Sequence, residues 1–375
     1  MFDVAIIGAG MAGASVAAEL SPYCSVIMLE REAQPGYHAT GRSAAFWDEC
    51  YGGPLVQPLT RASHAFLFDP PADFASGTLL HQRGVLYLGR EGEIGDLEAH
   101  VASFGDRVKL EMLDRSALLR RITGLKPEWV AGVFGGDCSD IDVGALHSGY
   151  LRVAKRYGAQ LRCDANVVAL GYVGDHWQVD VGDTKVEARI LVNAAGAWAD
   201  PVATLAGANP LGLQPYRRTV VQLRTDPKAS PDLPLVIHIG GEFYFKPETS
   251  GQLWASPHDE TPSPPCDAAP EELDVAIAIH AYSQAVDCTI EAVTHRWAGL
   301  RTFSPDRLPV YGFDPLVPGF FWCAGQGGFG IQTAPAAAKL CAALIREKPT
   351  GLELAGIEAE RYSPARFATA PISAL

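Results

Sequence analysis

The sequence predicts a mixed α/β protein that combines a parallel-sheet domain with a second domain rich in β-sheet. Three observations predict it: a glycine-rich turn between an apolar strand and a helix near the amino terminus, further apolar strands in the middle and near the end of the chain, and β-rich stretches between them. Because strands of one sheet then come from distant parts of the sequence, we expect both domains to be discontinuous.

The composition excludes several classes of protein. The length of 375 residues suits two to three domains at about 150 residues each. With 48% hydrophobic and 19% charged residues, the chain can bury large cores. Its net charge of −13 argues against nucleic-acid binding. No long uncharged apolar run predicts a membrane span. The 8 cysteines and 10 histidines lack metal-ligand spacing, so we expect reduced thiols, a cytoplasmic protein and no metal.

The amino terminus carries the most informative pattern. An apolar run at Phe2–Ile7 predicts a buried strand, residues 14–20 continue as a helix, and Ser25–Leu29 predicts a second strand. The turn before the helix reads GAGMAG, with glycines at positions 8, 10 and 13. Together these parts form the fingerprint of a dinucleotide-binding unit.

Each part of this fingerprint has a physical role. Gly8 permits the tight turn, Gly10 lets the backbone approach a pyrophosphate, and Gly13 lets the helix pack closely on the strand. The amino terminus of the helix offers free N–H groups and a positive dipole end to phosphates. Glu30, at the end of the second strand, can accept hydrogen bonds from ribose hydroxyls. The fingerprint alone leaves FAD and NAD as alternatives.

A second glycine pattern, GQGGFG, begins at Gly325 after the apolar run Phe320–Ala324. A helix is expected from about Thr333 to Arg346, but no convincing strand follows it. We therefore expect a glycine loop whose helix faces another electron-rich group, and not a second complete nucleotide-binding unit.

The middle of the chain alternates between the two domains. Residues 188–195 (ARILVNAA) form another apolar strand, followed by Gly196 and Trp198. β-rich stretches are predicted at Val85–Leu88, Val220–Leu223 and Phe243–Phe245, and proline-rich surface loops at residues 226–234 and 256–270.

Several long segments carry a resemblance to a known family: LEREAQPGYHATGRSAA (29–45), DIDVGALHSGYL (140–151), LVNAAGAW (191–198), LGLQPYRR (211–218), WAGLR (297–301) and AGQGGFGIQT (324–333). With them the chain resembles the D-amino-acid-oxidase-like flavoproteins, and within that family D-arginine dehydrogenase most closely. The resemblance extends nearly from end to end.

The resemblance implies non-covalently bound FAD. It implies a Rossmann-type FAD-binding domain formed by residues 1–45, 141–215 and 296–375, and a substrate-binding domain formed by residues 46–140 and 216–295. The residues expected to bind FAD are Gly8, Gly10, Met11, Ala12, Gly13, Glu30, Arg31, Arg42, Ser43, Ala44, Val167, Gly196, Trp198, Gly327, Gly328, Gly330, Ile331, Gln332 and Thr333.

The resemblance also implies oxidation of a D-amino acid by hydride transfer from its α-carbon to flavin N5, giving the 2-oxo acid and ammonia. The residues expected to hold the substrate are Tyr51, Arg218, Tyr244, Arg301 and Gly328. Two arginines suit an α-carboxylate because each guanidinium can form paired charge-assisted hydrogen bonds. The electron acceptor is expected to be a quinone-type compound or oxygen.

The sequence departs from D-arginine dehydrogenase at two positions. Val85 stands where that enzyme has the glutamate that pairs with the substrate guanidinium, and Phe46 stands where it has a histidine. These departures predict a pocket that favours apolar over cationic side chains, unless Asp48 or Glu49 supplies the missing acid. Oxidation of secondary amines such as N-methyl amino acids, and a flavin electron-transfer subunit without amine activity, are the alternatives.

Overall fold

The computed structural model describes residues 1–182, 184–248 and 250–367. Its strands are β1 (Phe2–Ile7), β2 (Val26–Leu29), β3 (Phe46–Trp47), β4 (Leu80–Gln82), β5 (Val85–Arg90), β6 (Leu110–Asp114), β7 (Trp129–Gly135), β8 (Ser139–Ile141), β9 (Gln160–Arg162), β10 (Ala169–Val173), β11 (His176–Val181), β12 (Thr184–Asn193), β13 (Gln214–Asp226), β14 (Leu235–His238), β15 (Tyr244–Pro247), β16 (Leu253–Ser256), β17 (Thr261–Pro262), β18 (Thr289–Phe303), β19 (Val310–Phe313) and β20 (Phe320–Ala324). Its α-helices are α1 (Met11–Leu20), α2 (Gln57–Phe68), α3 (Ile94–Phe104), α4 (Arg115–Arg121), α5 (Val143–Arg156), α6 (Ala199–Leu205), α7 (Glu272–Ala285) and α8 (Ala334–Ile345).

The first sheet is built around parallel strands in the order β20-β12-β1-β2-β9. An antiparallel hairpin, β10–β11, extends it beside β12, and β19 pairs antiparallel with β20. The strands predicted at Phe2–Ile7 and Phe320–Ala324 form with those bounds. Every residue of β20 is buried, and so are the last four of β1, which explains why both segments are continuous apolar runs.

Helices cover both faces of this sheet. On one face α1, α5 and α8 share a core with the inward-facing residues of the strands, and α6 packs on the other face. Helix α2 also joins the first core, through Leu59 and Leu67, although the sequence predicted that residues 46–140 belong to the other domain. The apolar face of α2 is buried against this layer, which the order of elements along the chain does not reveal.

The second sheet follows the order β17-β13-β16-β15-β14-β5-β7-β6, with β18 paired antiparallel to β13. Helices α4 and α7 pack with one face of it and α3 with the other. Strands β13 and β18 are long and pair along their whole length, so β18 continues this sheet beyond residue 296, where the sequence predicted the domain boundary.

A small sheet in the order β3-β8-β4 lies where the chain passes between the two large sheets. In the described part of the chain, no helix is both long enough and apolar enough to span a bilayer. The 8 cysteines are all free thiols.

Candidate cofactor and substrate site

A cavity of about 330 Å³ opens at the carboxyl ends of the parallel strands. Gly8 follows β1, Glu30 follows β2, Gly196 lies just beyond β12 and Gly327 just beyond β20, and all four line this cavity. Parallel strands place their carboxyl ends at one edge, which is where open α/β sheets bind ligands. The opposite side of the cavity is formed by residues of β13 and β18.

The glycine-rich turn has the geometry that the sequence predicted. Gly8 has a φ of +98°, and a β-carbon on it would lie 2.5 Å from the carbonyl oxygen of Ala194. A β-carbon on Gly13 would lie 1.9 Å from the carbonyl oxygen of Gly8. Larger residues at either position would push the turn away from the sheet. The His147 ring, whose Nε2 lies 2.9 Å from the carbonyl oxygen of Ala9, holds the turn from α5.

Glu30 connects the glycine-rich turn after β1 to the segment that follows β2. One carboxylate oxygen accepts a hydrogen bond from the backbone N–H of Ala9 at 2.9 Å, and the other accepts from the N–H of Glu32 at 3.0 Å. Each carboxylate oxygen can accept a further hydrogen bond, so Glu30 still has capacity for a ligand hydroxyl in the cavity that it lines.

Two arginines predicted to bind the cofactor, Arg31 and Arg42, line the cavity and also contact other side chains or backbone groups of the protein. The Arg31 guanidinium lies over the Trp198 ring, 4.1 Å from its centroid. Arg42 donates to the carbonyl oxygens of Ala268 at 2.8 Å and Ala298 at 3.1 Å and forms an ion pair with Asp267. Arg42 therefore ties the nucleotide end of the cavity to a loop of the other domain.

Most of the predicted cofactor residues lie together on the cavity: Gly8, Gly10, Met11, Ala12, Glu30, Arg31, Arg42, Ser43, Ala44, Val167, Gly196, Trp198, Gly327, Gly328, Gly330 and Ile331. Gly13, Gln332 and Thr333 do not line it. Gly13 acts through helix packing, and the Thr333 hydroxyl donates to the carbonyl oxygen of Phe329 at 2.8 Å. Gln332 is 2% exposed, and its amide makes its hydrogen bonds away from the cavity.

The second glycine loop, residues 325–330, passes close to the side chains of the other domain. A β-carbon on Gly327, whose φ is +54°, would lie 2.2 Å from the Phe303 ring. A β-carbon on Gly328 would lie 2.3 Å from the Tyr51 hydroxyl and 3.2 Å from Nη1 of Arg301. After α8 the described residues form no further strand, so this loop does not begin a second nucleotide-binding unit.

Arg218 and Arg301 lie on the same face of the second sheet. Arg218 on β13 is opposite Gly299 on β18, and Arg301 is two residues further along β18. Side chains two residues apart share a face, so the two arginines are diagonal neighbours at the cavity. Nη1 of Arg301 donates to the Tyr51 hydroxyl at 2.8 Å. Arg218, Arg301 and Tyr244 line the cavity, whereas Tyr51 does not and borders it through Arg301. These four residues are called the arginine–tyrosine cluster below.

Two buried polar atoms of this cluster have no hydrogen-bond partner within the described chain, namely Nη1 of Arg218 and the Tyr244 hydroxyl. Arg218 is only 4% exposed; its Nε donates to the carbonyl oxygen of Asp259 at 2.8 Å and its Nη2 to Glu260 at 3.4 Å. Burial, together with the positive charge of Arg301, lowers the pKa of Arg218 to about 10. An anion in the cavity would satisfy both atoms and relieve this repulsion.

Arg217, adjacent to Arg218, points to the opposite face of the sheet. Its guanidinium pairs with Asp274 at 2.9 Å and with Glu271, at the start of α7. Burial acts to lower the pKa of Arg217, but the two carboxylates outweigh it and raise that pKa. The alternation of side chains along β13 thus separates a structural arginine from a cavity arginine.

The predicted side-chain pocket is wrong at Val85. Val85 is completely buried in the core of the second sheet, since β5 is a central strand between β14 and β7, and it does not line the cavity. Phe46 does not line the cavity either; its ring packs 5.0 Å from the Tyr51 ring.

Asp48 and Glu49 do not supply an acid to the cavity. Asp48 accepts hydrogen bonds from the Tyr87 hydroxyl at 2.6 Å and from the N–H of Cys50 at 3.0 Å. Glu49 accepts from Arg61 and Gln57, each at 2.8 Å. Neither side chain lines the cavity.

Sequence reasoning missed Asp259 and Glu260. Asp259 accepts from both the N–H (2.8 Å) and the hydroxyl (3.0 Å) of Thr219, and Glu260 bridges Arg218 and Arg307. Both lie in a proline-rich loop far along the chain from β13, and no pattern in that loop marks them.

Comparison with known proteins identifies the family. The family model described as "FAD dependent oxidoreductase" (DAO) matches residues 3–344. The chain belongs to this family. The hydrogen cyanide synthase subunit HcnC of Pseudomonas aeruginosa is 26% identical over 231 residues, which cover 60% of this chain and 53% of HcnC. The chain spans about half the length of that curated relative.

Two solved structures share the fold. Glycine oxidase from Geobacillus kaustophilus superimposes with a TM-score of 0.84 at 22% identity, covering 97% of this chain and 98% of that one. L-Proline dehydrogenase from P. horikoshii gives a TM-score of 0.83 at 21% identity, covering 98% and 97%. These relatives support the broad family but not the narrower resemblance to D-arginine dehydrogenase.

The cofactor of this DAO protein is FAD, and the residues present fit it. β-Carbons on Gly8 and Gly13 would collide with neighbouring backbone, so the glycines keep the turn tight; residues 10–12, at the start of α1, line the cavity, and Glu30 lies at the end of β2. These groups would hold the pyrophosphate and a ribose. The second glycine loop lies between them and the arginine–tyrosine cluster, where the redox-active ring would meet a substrate.

Proposed function

We propose that this protein oxidises the C–N bond of a D-amino acid, giving the 2-oxo acid and ammonia. The observation that carries this proposal is the pair of buried, unpartnered polar atoms, Nη1 of Arg218 and the Tyr244 hydroxyl, on the same cavity as the nucleotide-binding turn. Buried polar groups without a partner are costly, which favours a ligand that supplies hydrogen-bond acceptors at this place.

An α-carboxylate has the charge and the acceptors that the cluster lacks. Arg301 donates to the Tyr51 hydroxyl, whereas Arg218 contacts Asp259 at 3.8 Å and shares Glu260 with Arg307, so three arginines face two carboxylates. The cluster therefore retains positive charge that a carboxylate would neutralise through charge-assisted hydrogen bonds. Tyr244 can donate to the carboxylate or accept from the substrate amine, because a phenol does both.

When bound, FAD supplies the hydride-accepting chemistry, whereas the protein orients the substrate. Gly328 lets the second glycine loop approach Tyr51 and Arg301 closely, since a β-carbon there would collide with the Tyr51 hydroxyl. A carboxylate held at this position places the α-carbon next to the second glycine loop. Fixing that orientation replaces an encounter in solution with a held geometry, which accelerates transfer.

The cavity favours apolar or small side chains over cationic ones. The acidic residues that line it are Glu30 and Glu32, both just after β2 at the nucleotide end. Asp259 and Glu260 lie near the substrate end, but they already pair with Arg218 and do not line the cavity. A guanidinium or ammonium group there would lose water without gaining a free carboxylate partner. We therefore expect D-leucine or D-methionine to give a higher kcat/KM than D-arginine.

Anaerobic mixing of the yellow protein with matched D-, L- and N-methyl amino acids tests the proposal. D-Amino acids should bleach the visible absorbance of the flavin and release equal amounts of 2-oxo acid and ammonia. Faster bleaching by N-methyl or L-amino acids would overturn the proposed substrate class. If no amine bleaches the flavin while dithionite does, the proposed activity is refuted and an electron-transfer subunit is favoured. Turnover with oxygen and with a quinone dye identifies the acceptor.

A further inference from the structure

Tyr51 belongs to a turn that a single buried side chain holds at both ends. The turn comprises residues 48–51, in which the N–H of Tyr51 donates to the carbonyl oxygen of Asp48 at 3.1 Å. The N–H of Asp48 donates to Oε1 of Gln332 at 3.1 Å, and Nε2 of Gln332 donates to the carbonyl oxygen of Tyr51 at 3.0 Å. The side-chain amide of Gln332 thus bridges the first and last residues of the turn.

Only a primary amide of this length can make this bridge. The turn presents a donor at one end and an acceptor at the other, so the partner must accept and donate at once. These two backbone groups fix the orientation of the amide, and Nε2 also donates to the Thr60 hydroxyl at 3.0 Å. Gln332 and Asp48 are 2% and 4% exposed, so water cannot replace a lost hydrogen bond without rearrangement.

We infer that Gln332 is a positioning residue, which sets the Tyr51 hydroxyl against Arg301 at the carboxylate-binding end of the cavity. The geometry leaves little tolerance there, because the Tyr51 hydroxyl occupies the space next to Gly328 and lies 2.8 Å from Nη1 of Arg301. Gln332 lies two residues after the second glycine loop, in the same connection between β20 and α8. This one connection therefore places both the backbone beside the substrate and the tyrosine that contacts Arg301.

This inference rests on the proposed function, and it proposes for Gln332 a role other than the FAD binding that the sequence predicts. A cofactor ligand would affect FAD retention, whereas a residue that positions Tyr51 affects carboxylate binding. The two roles therefore differ in a measurement that does not depend on turnover.

Substitution Q332M keeps the volume but removes all three hydrogen bonds of the amide, and Q332E keeps the acceptor but loses the donor when ionised. For both variants of the FAD-loaded protein we expect about a tenfold rise in KM for the best amino acid and in the Kd of benzoate. Benzoate is a simple carboxylate whose binding is followed by the visible spectrum of the flavin. The Kd of FAD should change less than twofold.

Thr60→Val is the matched control, since it removes the third hydrogen bond of the same amide and leaves the turn bridged; KM should stay within twofold.

The decisive comparison uses Tyr51→Phe. If Gln332 acts through the hydroxyl of Tyr51, Q332M or Q332E should raise the Kd of benzoate no more than about twofold further in the Y51F background.

Three outcomes would overturn the inference. They are an unchanged Kd of benzoate in both Gln332 variants, an equal effect of Gln332 substitution with and without the Tyr51 hydroxyl, and a loss of FAD that matches the loss of benzoate binding. A wild-type protein that oxidises no amine and binds no benzoate would instead refute the proposed function itself.

Discussion

Removal of the Arg301 guanidinium should sharply weaken recognition of the substrate carboxylate. In Arg301→Met the stem of the side chain remains and the charge is lost. Truncation of one partner of a buried charge pair costs about 2–5 kcal/mol, which corresponds to about 30-fold to several thousandfold. Arg301 is partly exposed to the cavity, and Arg218 remains beside it, so the lower part of this range applies. We expect kcat/KM to fall by about a hundredfold.

The loss of kcat/KM in Arg301→Met should come from weaker binding of the substrate carboxylate and not from a change in the charge of Arg218. The positive charge of Arg301 helps to lower the pKa of Arg218 to about 10, so its removal raises that pKa and keeps Arg218 cationic. Steady-state kinetics with the amino acid and with its carboxamide provide the assay: discrimination between the two should collapse in Arg301→Met. Arg296→Met is the control, because Arg296 lies on the same strand, half exposed, and pairs with Glu272 at 2.7 Å. A change in kcat/KM below threefold for Arg301→Met would refute a carboxylate-binding role.

Glu30→Gln should raise the Kd of FAD about tenfold. The Glu30 carboxylate accepts hydrogen bonds from two backbone N–H groups, and in the variant the amide nitrogen would face one of these donors. Ultrafiltration followed by fluorescence of the released flavin measures this Kd. Burial raises the pKa of Asp48 above its usual value of 3.8, and the hydrogen bonds from Tyr87 and Cys50 offset this only in part. Between the pKa of Asp48 in the unfolded chain and its higher pKa in the folded protein, the folded protein binds more protons than the unfolded chain. The contribution of Asp48 to the free energy of unfolding is therefore greatest below both pKa values, and it is lost as the pH rises through the pKa of the folded state. Denaturant unfolding at about pH 4 and pH 7 should therefore show Asp48→Asn gaining stability relative to the wild type at the higher pH; an equal difference at both pH values would contradict the raised pKa.

The placement of the substrate residues shows what a family resemblance can and cannot find. The resemblance predicts Arg218 and Arg301 at the site, and the register of β13 and β18 brings them to one face of the sheet. Val85 was also expected there, but β5 is covered on both edges and its valine is in the core. Whether a strand residue faces a cavity or a core depends on the neighbouring strands, which are remote in the sequence.

The sequence by itself determined the nucleotide-binding half of this protein, because its constraints are local. The first 30 residues contain the tight turn at Gly8, the close packing at Gly13 and the acid at the end of β2. Within so short a segment, the spacing of residues along the chain fixes how they are placed relative to one another. Only the tertiary structure decided the substrate end. Gln332, Asp259 and Glu260 act through partners that lie 40 to 284 residues away in the chain, and no local pattern encodes a hydrogen bond at that separation.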